Sequence, residues 1–231
     1  LSYPDVQRTQ FLAVLGANPA VSGNTLYHLP HPVQRLKDIV RRGGRVVFVN
    51  PRRIESAQAG EHLFIRPDTD VFLLAAWCNE LIRTGGVARE RVERYTKGFA
   101  ELQQTVADWT VERQAAVTGV SAEALRDLVA SHRKAGGVGL YMAAGVNQGR
   151  SGTLCFWLLE CINAISGNFD RAGGMLVGQG IVDMAGEVKR GGEVTLRHDR
   201  ADGLPSVVGL QPSGMLAPAS EQGRVRGLVV D

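Results

Sequence analysis

A strand, a turn of small residues, a helix and a second strand follow one another near the start of the chain, and this order constrains the fold most. The apolar run Phe11–Leu15 is typical of a strand buried on both faces. A segment with apolar residues at helical spacing begins at Pro32 and ends at Gly43 and Gly44, and residues 45–49 form a second apolar run. Because a helix between two such strands joins them in parallel, the sequence predicts an α/β fold. We expect a three-layer, Rossmann-like domain around a mainly parallel sheet.

The rest of the chain divides by its pattern into two parts. Residues 62–66 are typical of a short edge strand, and Asp70 is a candidate N-cap for the long apolar helix that follows. After residue 173 the chain is rich in Gly and Pro and has little periodicity. The sequence therefore predicts a complete α/β domain over residues 1–148. Residues 149–231 are predicted to form a helix and a Gly/Pro-rich segment that lead into a second, truncated α/β half.

Composition excludes several classes of protein. The formal net charge of +3 and the aromatic content of 6% do not favour a nucleic-acid-binding protein. No apolar stretch is long enough to span a bilayer. The three cysteines, Cys78, Cys155 and Cys161, fit neither a disulfide framework nor a CxxC metal site, so we expect them to be small core residues. The chain opens without Met, and we expect it to be a central fragment of a longer protein.

Small or polar residues follow three predicted strands, at residues 11–15, 45–49 and 137–144. In open parallel sheets, ligands bind beyond the carboxyl ends of the strands. Glycines let backbone N–H groups approach phosphate oxygens, and an arginine can pair with a phosphate. No GxGxxG motif is present, and each turn alone could be an ordinary solvated loop. Together they predict a binding site formed by Gly16, Asn18, Pro19, Asn50, Arg52, Gly145, Asn147 and Gln148.

Several motifs, taken in order, resemble one enzyme family. They are GANPAVS from Gly16, NPRRIESAQAGEHLFIRPDTD from Asn50, DWTVERQAAVTGVSAEAL from Asp108, AAGVNQGRSG from Ala143 and SGNFDRAGG from Ser166. This series is similar to the cofactor-binding core of molybdopterin oxidoreductases, the dimethyl sulfoxide reductase superfamily. That family includes formate dehydrogenases, periplasmic nitrate reductases and polysulfide reductases. The resemblance covers nearly all of residues 5–175.

The resemblance implies a ligand and a role for each matched residue. The ligand is molybdopterin guanine dinucleotide, two copies of which hold one Mo or W ion. By this resemblance, the Asp70 carboxylate accepts from the guanine edge, and Asn50 and Arg52 meet the guanosine side. The first loop, with Gly16, Asn18 and Pro19, lies over the nucleotide, and the turn with Gly145, Asn147 and Gln148 lies toward the pterin.

Four positions depart from the family pattern. Asn50 stands where the family has Asp, and Ser56 where it has Thr, so both keep a hydrogen-bonding group. Asp68 stands where the family has Gly, which adds a carboxylate near Asp70. Trp157 takes the place of an active-site Arg of formate dehydrogenases, which argues against a strict formate dehydrogenase. Ser151 and Trp157 are candidates to face a substrate funnel, and a packing role for Trp157 is an equal alternative.

The resemblance also implies what the chain lacks. In the family, an iron–sulfur cysteine cluster and a Ser, Cys or selenocysteine that ligates the metal precede the first glycine turn. We therefore expect that this chain contains no catalytic or metal-ligating residue. The full-length enzyme would perform two-electron redox or oxo-transfer chemistry, and this fragment alone would be inactive. Its partners would be the N- and C-terminal domains of the same chain and electron-transfer subunits. The protein would be located in the cytoplasm or, after twin-arginine export, in the periplasm. The alternatives are a non-catalytic scaffold subunit of an electron-transfer complex and an unrelated nucleotide-binding α/β domain.

Overall fold

The structure, a computed structural model, describes most of the chain. The described residues are 2–23, 25–26, 28–178, 196–197, 203, 206–207 and 216–227. Contacts divide the chain into two units, Leu1–Gly178 and Gln179–Asp231. In the second unit, Leu196–Arg197 pairs antiparallel with Ser206–Val207, and a helix spans Leu216–Glu221. The fold and the candidate site below belong to the first unit.

Four parallel strands form the central sheet of the first unit. They are β2 (Phe11–Leu15), β3 (Arg45–Asn50), β4 (Glu61–Phe64) and β5 (Val138–Met142), in the order β4-β3-β2-β5. A separate antiparallel pair joins β1 (Ser2–Pro4) to β6 (Met175–Val177). The chain runs from β2 outward to β3 on one side, whereas β5 lies on the other side of β2. The strand order therefore reverses between β2 and β5, which is where open α/β sheets usually bind ligands.

Helices cover both faces of this sheet. They are α1 (Pro32–Arg41), a 3₁₀ helix (Glu55–Ala59), α2 (Asp70–Arg83), α3 (Arg89–Tyr95), α4 (Phe99–Val106), α5 (Val111–Thr118), α6 (Ala122–Lys134), α7 (Ala144–Asn147) and α8 (Gly152–Ile165). The predicted α/β class with a parallel sheet is confirmed, and so is the edge position of β4.

Alternate residues of each strand enter two different apolar layers. Leu12 and Val14 of β2 pack with Leu36 and Ile39 of α1 on one face. Phe11, Ala13 and Leu15 pack on the other face with residues of α2, α6 and α8. Because both faces are covered, the strands are apolar at every position rather than at every second one. This explains the continuous apolar runs from which the sheet was predicted.

The helix α8 and the residue Asp70 have positions that the sequence did not indicate. The helix α8 packs against α2 and β5 and buries Leu158, Leu159 and Ile162 in the layer of α2. The compact unit therefore extends to Gly178, beyond the division expected at residue 148. Asp70 is the first residue of α2 rather than its N-cap, a position that Thr69 occupies.

The three cysteines are free, as expected for core residues. Cys78 and Cys155 are buried and Cys161 is half-buried. All three lie in or against the layer of α2, where burial raises the pKa of the Cys78 thiol to about 12. Among the described residues, no helix combines the length and the apolar composition needed to cross a bilayer.

The amide of Asn163 in α8 replaces a neighbouring strand along the open edge of β5. Its Oδ1 accepts from Leu140 N at 3.3 Å and its Nδ2 donates to Leu140 O at 3.2 Å. Asn163 is fully buried, so no water can take over either bond if the amide is lost. The side chain therefore satisfies both polar groups of a backbone position that no strand pairs in the first unit.

We expect Asn163→Leu to lower the free energy of unfolding by about 2 kcal/mol, since it leaves a buried N–H and a buried C=O unpaired. Asn79→Leu is the matched control. Its amide also donates to two backbone carbonyls, at Ala107 and Trp109, but it is only half-buried and water can replace it. Urea unfolding followed by circular dichroism measures both losses. Equal losses for the two variants would contradict the role given to Asn163.

Candidate functional site

The loops after β2 and β5 meet through two glycines at the carboxyl edge of the sheet. Gly16 has φ +59°, and a Cβ added to it would lie 2.6 Å from Val146 N. Gly145 N donates to Gly16 O at 3.0 Å, and a Cβ on Gly145 would lie 2.7 Å from that same oxygen. Gly16 N donates in turn to Val49 O at 3.0 Å. Both glycines therefore allow backbone to approach backbone, and their N–H groups are engaged within the protein.

Asn18 connects the loop after β2 with the 3₁₀ helix that follows β3. Its Oδ1 accepts from Ser56 Oγ at 2.8 Å and from Ser56 N at 3.3 Å. Its Nδ2 donates to Glu55 Oε2 at 2.5 Å. Ser56 Oγ also accepts from Ala20 N at 2.8 Å. The neighbouring Pro19 is buried. These bonds fix the Asn18 amide with its donor group toward Glu55.

Arg52 and Asn50, at the end of β3, also contact the loop after β2 and the 3₁₀ helix. Arg52 Nη2 lies 3.4 Å from Glu55 Oε2, the oxygen that also accepts from Asn18. The pKa of the Glu55 carboxyl is lowered first by a bond from its own backbone N–H, and then by Asn18 and Arg52. Asn50 is buried, and its Nδ2 donates to Ala17 O at 3.4 Å. We call Asn18, Arg52, Glu55 and Ser56 the Asn18 cluster.

Asp70 and Asp68 lie at the carboxyl end of β4, where α2 begins. Asp70 is buried, with 8% of its surface exposed. Within the described part of the chain, no hydrogen bond from another residue reaches its carboxylate. Burial raises the pKa of Asp70 to about 6 against the opposing effect of its own backbone N–H, and the charge of Asp68 raises it further. Asp70 thus holds a buried acceptor that is ready for a donor from outside the described residues.

Asp68 has a structural role that the sequence did not indicate. It has φ +62°, a backbone conformation in which Gly is favoured. Its Oδ1 accepts from Arg150 N at 2.9 Å, and a Cβ on Gly149 would lie 2.8 Å from the same oxygen. Asp68 therefore ties the loop before α2 to the turn before α8.

A cavity of about 340 Å³ lies beside β5 and takes in one more of the predicted residues. Asn147 lines it together with Tyr141, Phe156 and Glu160. Burial raises the pKa of Glu160, whose Oε1 accepts from Ser2 Oγ at 2.5 Å. Gln148 is exposed, and Trp157 in α8 is 46% exposed.

Seven of the nine predicted residues thus fall into three groups at the carboxyl edge, and Pro19 and Gln148 are their neighbours in the chain. Hydrogen bonds join Gly16, Asn50 and the Asn18 cluster through the loop after β2, and Gly145 joins them through Gly16. Asn147 lines the cavity, and Asp70 lies at the start of α2. Among the described residues, no hydrogen bond links the Asp70 carboxylate to Asn18 or Asn50. Sequence reasoning missed Glu55, for which the only signal was an acid three residues after Arg52.

The described residues contain no group of three His, Cys, Asp or Glu side chains placed to hold a metal ion. The edge has two donors that converge on one anion, at the Asn18 cluster, and a buried carboxylate that accepts from no other described residue, at Asp70. Such an arrangement suits a ligand that carries both an anionic group and a ring with N–H donors.

Comparison with known proteins gives relatives of one superfamily. Formate dehydrogenase H from Escherichia coli (strain K12) is 25% identical over 170 residues, which are 72% of this chain and 23% of that protein. The thiosulfate reductase molybdopterin-containing subunit from Salmonella typhimurium (strain LT2) is 31% identical over 143 residues, 58% of this chain and 18% of that one. Both are members of the molybdopterin, or dimethyl sulfoxide reductase, superfamily, so the resemblance predicted from the motifs is confirmed. No family model matches the chain.

The fold has a solved counterpart. Acetylene hydratase from Pelobacter acetylenicus superposes with a TM-score of 0.68 at 22% identity, over 77% of this chain and 24% of that one. At this identity the likeness concerns the fold alone. The chain spans about a quarter of the length of acetylene hydratase and of formate dehydrogenase H.

Proposed function

We propose that this chain is the cofactor-binding part of a molybdopterin-dependent oxidoreductase, and that it holds one guanosine diphosphate end of molybdopterin guanine dinucleotide. The observation that carries the proposal is the buried Asp70 carboxylate, which receives no hydrogen bond from another described residue and lies at the same sheet edge as the donors of the Asn18 cluster. The relatives, which are molybdopterin enzymes, support the same assignment.

The residues present fit the two ends of a guanine nucleotide. A guanine edge carries adjacent N–H donors, and one ionised carboxylate can accept both in a bidentate pair. Asp70 supplies such a carboxylate at neutral pH, because its pKa of about 6 lies below 7. Arg52, 64% exposed, and the Nδ2 of Asn18 supply donors for the diphosphate. The other residues of the proposed site are Gly16, Pro19, Asn50, Gly145, Asn147 and Gln148.

When bound, the cofactor supplies two-electron redox or oxo-transfer chemistry at Mo or W. The residues of this chain bind and orient its nucleotide end and screen its phosphates. The metal ligands, any iron–sulfur cluster and the electron-transfer partners would come from the rest of a longer protein and its other subunits. In this proposal the chain alone is inactive.

One observation favours a second candidate, a scaffold subunit that keeps the fold without the cofactor. In the Asn18 cluster, the donors that would meet a diphosphate are already bonded to Glu55. A scaffold would need no free donors there. Binding of a guanine nucleotide decides between the two candidates, and preference for another nucleotide would favour an unrelated nucleotide-binding domain.

We expect the chain to bind GDP at least tenfold more tightly than NAD in isothermal titration calorimetry. Asp70→Asn should weaken GDP binding by about tenfold, since a good bidentate pair contributes on the order of 1–3 kcal/mol of discrimination. Affinity of the wild type for GDP should fall as the pH drops below about 6, where Asp70 becomes protonated. Asp70→Asn should lack that pH dependence.

Asp108→Asn is the matched control, because Asp108 is an exposed acid between α4 and α5 and outside the proposed site. It should bind GDP as the wild type does. Equal affinity of the wild type for GDP and NAD would overturn the proposed function, as would an Asp70→Asn variant that binds GDP unchanged.

A further inference from the structure

Two donors from different loops converge on a single carboxylate oxygen in the Asn18 cluster. Asn18 Nδ2 and Arg52 Nη2 lie 2.5 Å and 3.4 Å from Glu55 Oε2. Asn18 follows β2 and Arg52 follows β3, so the geometry is set by the packing of two adjacent strands. A neutral amide donor and a guanidinium that point at one anionic oxygen form a small anion site.

Ser56 holds the Asn18 donor in place from the side opposite Glu55. Ser56 N and Ser56 Oγ both donate to Asn18 Oδ1, which leaves the amide nitrogen as the group that faces Glu55. An amide turned the other way would set its NH₂ group against the Ser56 N–H donor. The direction of the Asn18 donor therefore does not depend on Glu55.

The site is also open to a ligand. The Arg52 and Glu55 side chains are 64% and 53% exposed. An exposed ion pair of this kind contributes little to stability, so displacing the Glu55 carboxylate would cost the fold little. An incoming phosphate carries more negative charge than a carboxylate and offers more acceptor oxygens to the same donors.

We propose that Glu55 is a built-in competitor, whose carboxylate occupies the place of a ligand phosphate oxygen in the Asn18 cluster and is displaced when a diphosphate binds. The inference rests on the proposed function only in taking the anion to be the diphosphate of a nucleotide. Glu55 then sets how strongly the edge holds that anion. It disfavours weakly charged ligands, because only a ligand of higher charge can compete for both donors.

The decisive comparison is between Glu55→Gln and the wild type, with inorganic pyrophosphate, GDP and guanosine as ligands in calorimetry at low ionic strength. The variant keeps the size and polarity of the side chain and removes its charge. We expect it to bind pyrophosphate and GDP about tenfold more tightly, with the gain shrinking as salt is added. Guanosine, which has no phosphate, should bind both proteins equally.

Glu93→Gln is the matched control, since Glu93 is an exposed acid of α3 outside the cluster. It should bind all three ligands as the wild type does, and circular dichroism melts show that each variant is folded. Pyrophosphate binding that is unchanged or weaker in Glu55→Gln would overturn the inference, as would its absence in both proteins. These results do not depend on whether the chain prefers GDP to NAD. The inference about Glu55 and the proposed function are therefore tested separately.

Discussion

Gly16→Ala should lower the free energy of unfolding of the chain by about 3 kcal/mol or more, whereas Gly43→Ala should cost about 1 kcal/mol. Both glycines have positive φ, +59° and +85°, and a Cβ in this conformation costs roughly 1–2 kcal/mol. Around Gly43 nothing lies within 4 Å of an added Cβ. At Gly16 the same atom would lie 2.6 Å from Val146 N and 2.9 Å from Gly145 C. Backbone there would have to move, which typically costs a further 1–3 kcal/mol.

The difference between the two variants therefore measures the contact between the loops after β2 and β5. Urea unfolding with linear extrapolation gives both values, and unchanged m-values would show that the denatured states are comparable. Equal losses at the two positions would mean that the loops do not approach each other as closely as the geometry of Gly16 and Gly145 requires.

Between pH 7 and pH 4, we expect two buried groups to change the stability of the chain in opposite directions. Burial lowers the pKa of His132 from 6.5 to about 4. The unfolded chain then binds the proton first, so stability falls as the pH drops from 6.5 toward 4. Asp70 has its pKa raised from 3.8 to about 6, so the folded chain binds the proton first and stability rises as the pH drops through 6 toward 3.8. Each effect amounts to about 2–3 kcal/mol, at roughly 1.4 kcal/mol per pKa unit.

Substitution separates these opposing effects. Asp70→Asn should lose about 2–3 kcal/mol more than the wild type between pH 7 and pH 4, because the effect of His132 is no longer offset. His132→Gln should lose correspondingly less. The Gln side chain keeps an acceptor for Trp77 Nε1, which lies 3.3 Å from His132 Nδ1.

Urea unfolding at pH 4, 5, 6 and 7 measures all three proteins, and contributions from other titrating groups cancel in the differences. Parallel pH profiles for the wild type and Asp70→Asn would contradict the burial of an ionisable Asp70. Parallel profiles for the wild type and His132→Gln would contradict the buried, neutral state of His132.

Local sequence pattern predicted the four strands of the central sheet, the main helices and the carboxyl edge as the place of the candidate site, but not the pair formed by β1 and β6. The run Phe11–Leu15 is apolar throughout because both faces of β2 are covered, and this is visible in the sequence itself. The order of strand, helix and strand then left only a parallel arrangement for β2 and β3. Eight of the nine candidate residues were proposed because polar and small residues at strand ends stand out against apolar runs, and Asp70 was added by the family resemblance.

The partners of those residues could not be predicted in the same way. Asn18 bonds to Glu55 and Ser56, and Gly16 meets Gly145 and Val146, although these residues are far apart in the chain. Such contacts depend on how the strands are ordered and how the loops pack. The periodicity of apolar residues in the sequence does not predict them.

The sequence by itself determined the α/β class and the paired apolar layers, because these follow from residue types a few positions apart, and its ordered motifs carry the resemblance to molybdopterin oxidoreductases. Only the tertiary structure decided that α8 belongs to the first unit, that Glu55 bonds to the donors of Asn18 and Arg52, and that Asp70 is a buried acid with a raised pKa. The physical reason is that burial and hydrogen-bond partners arise from packing between distant segments. Side-chain chemistry alone does not fix which of those segments meet.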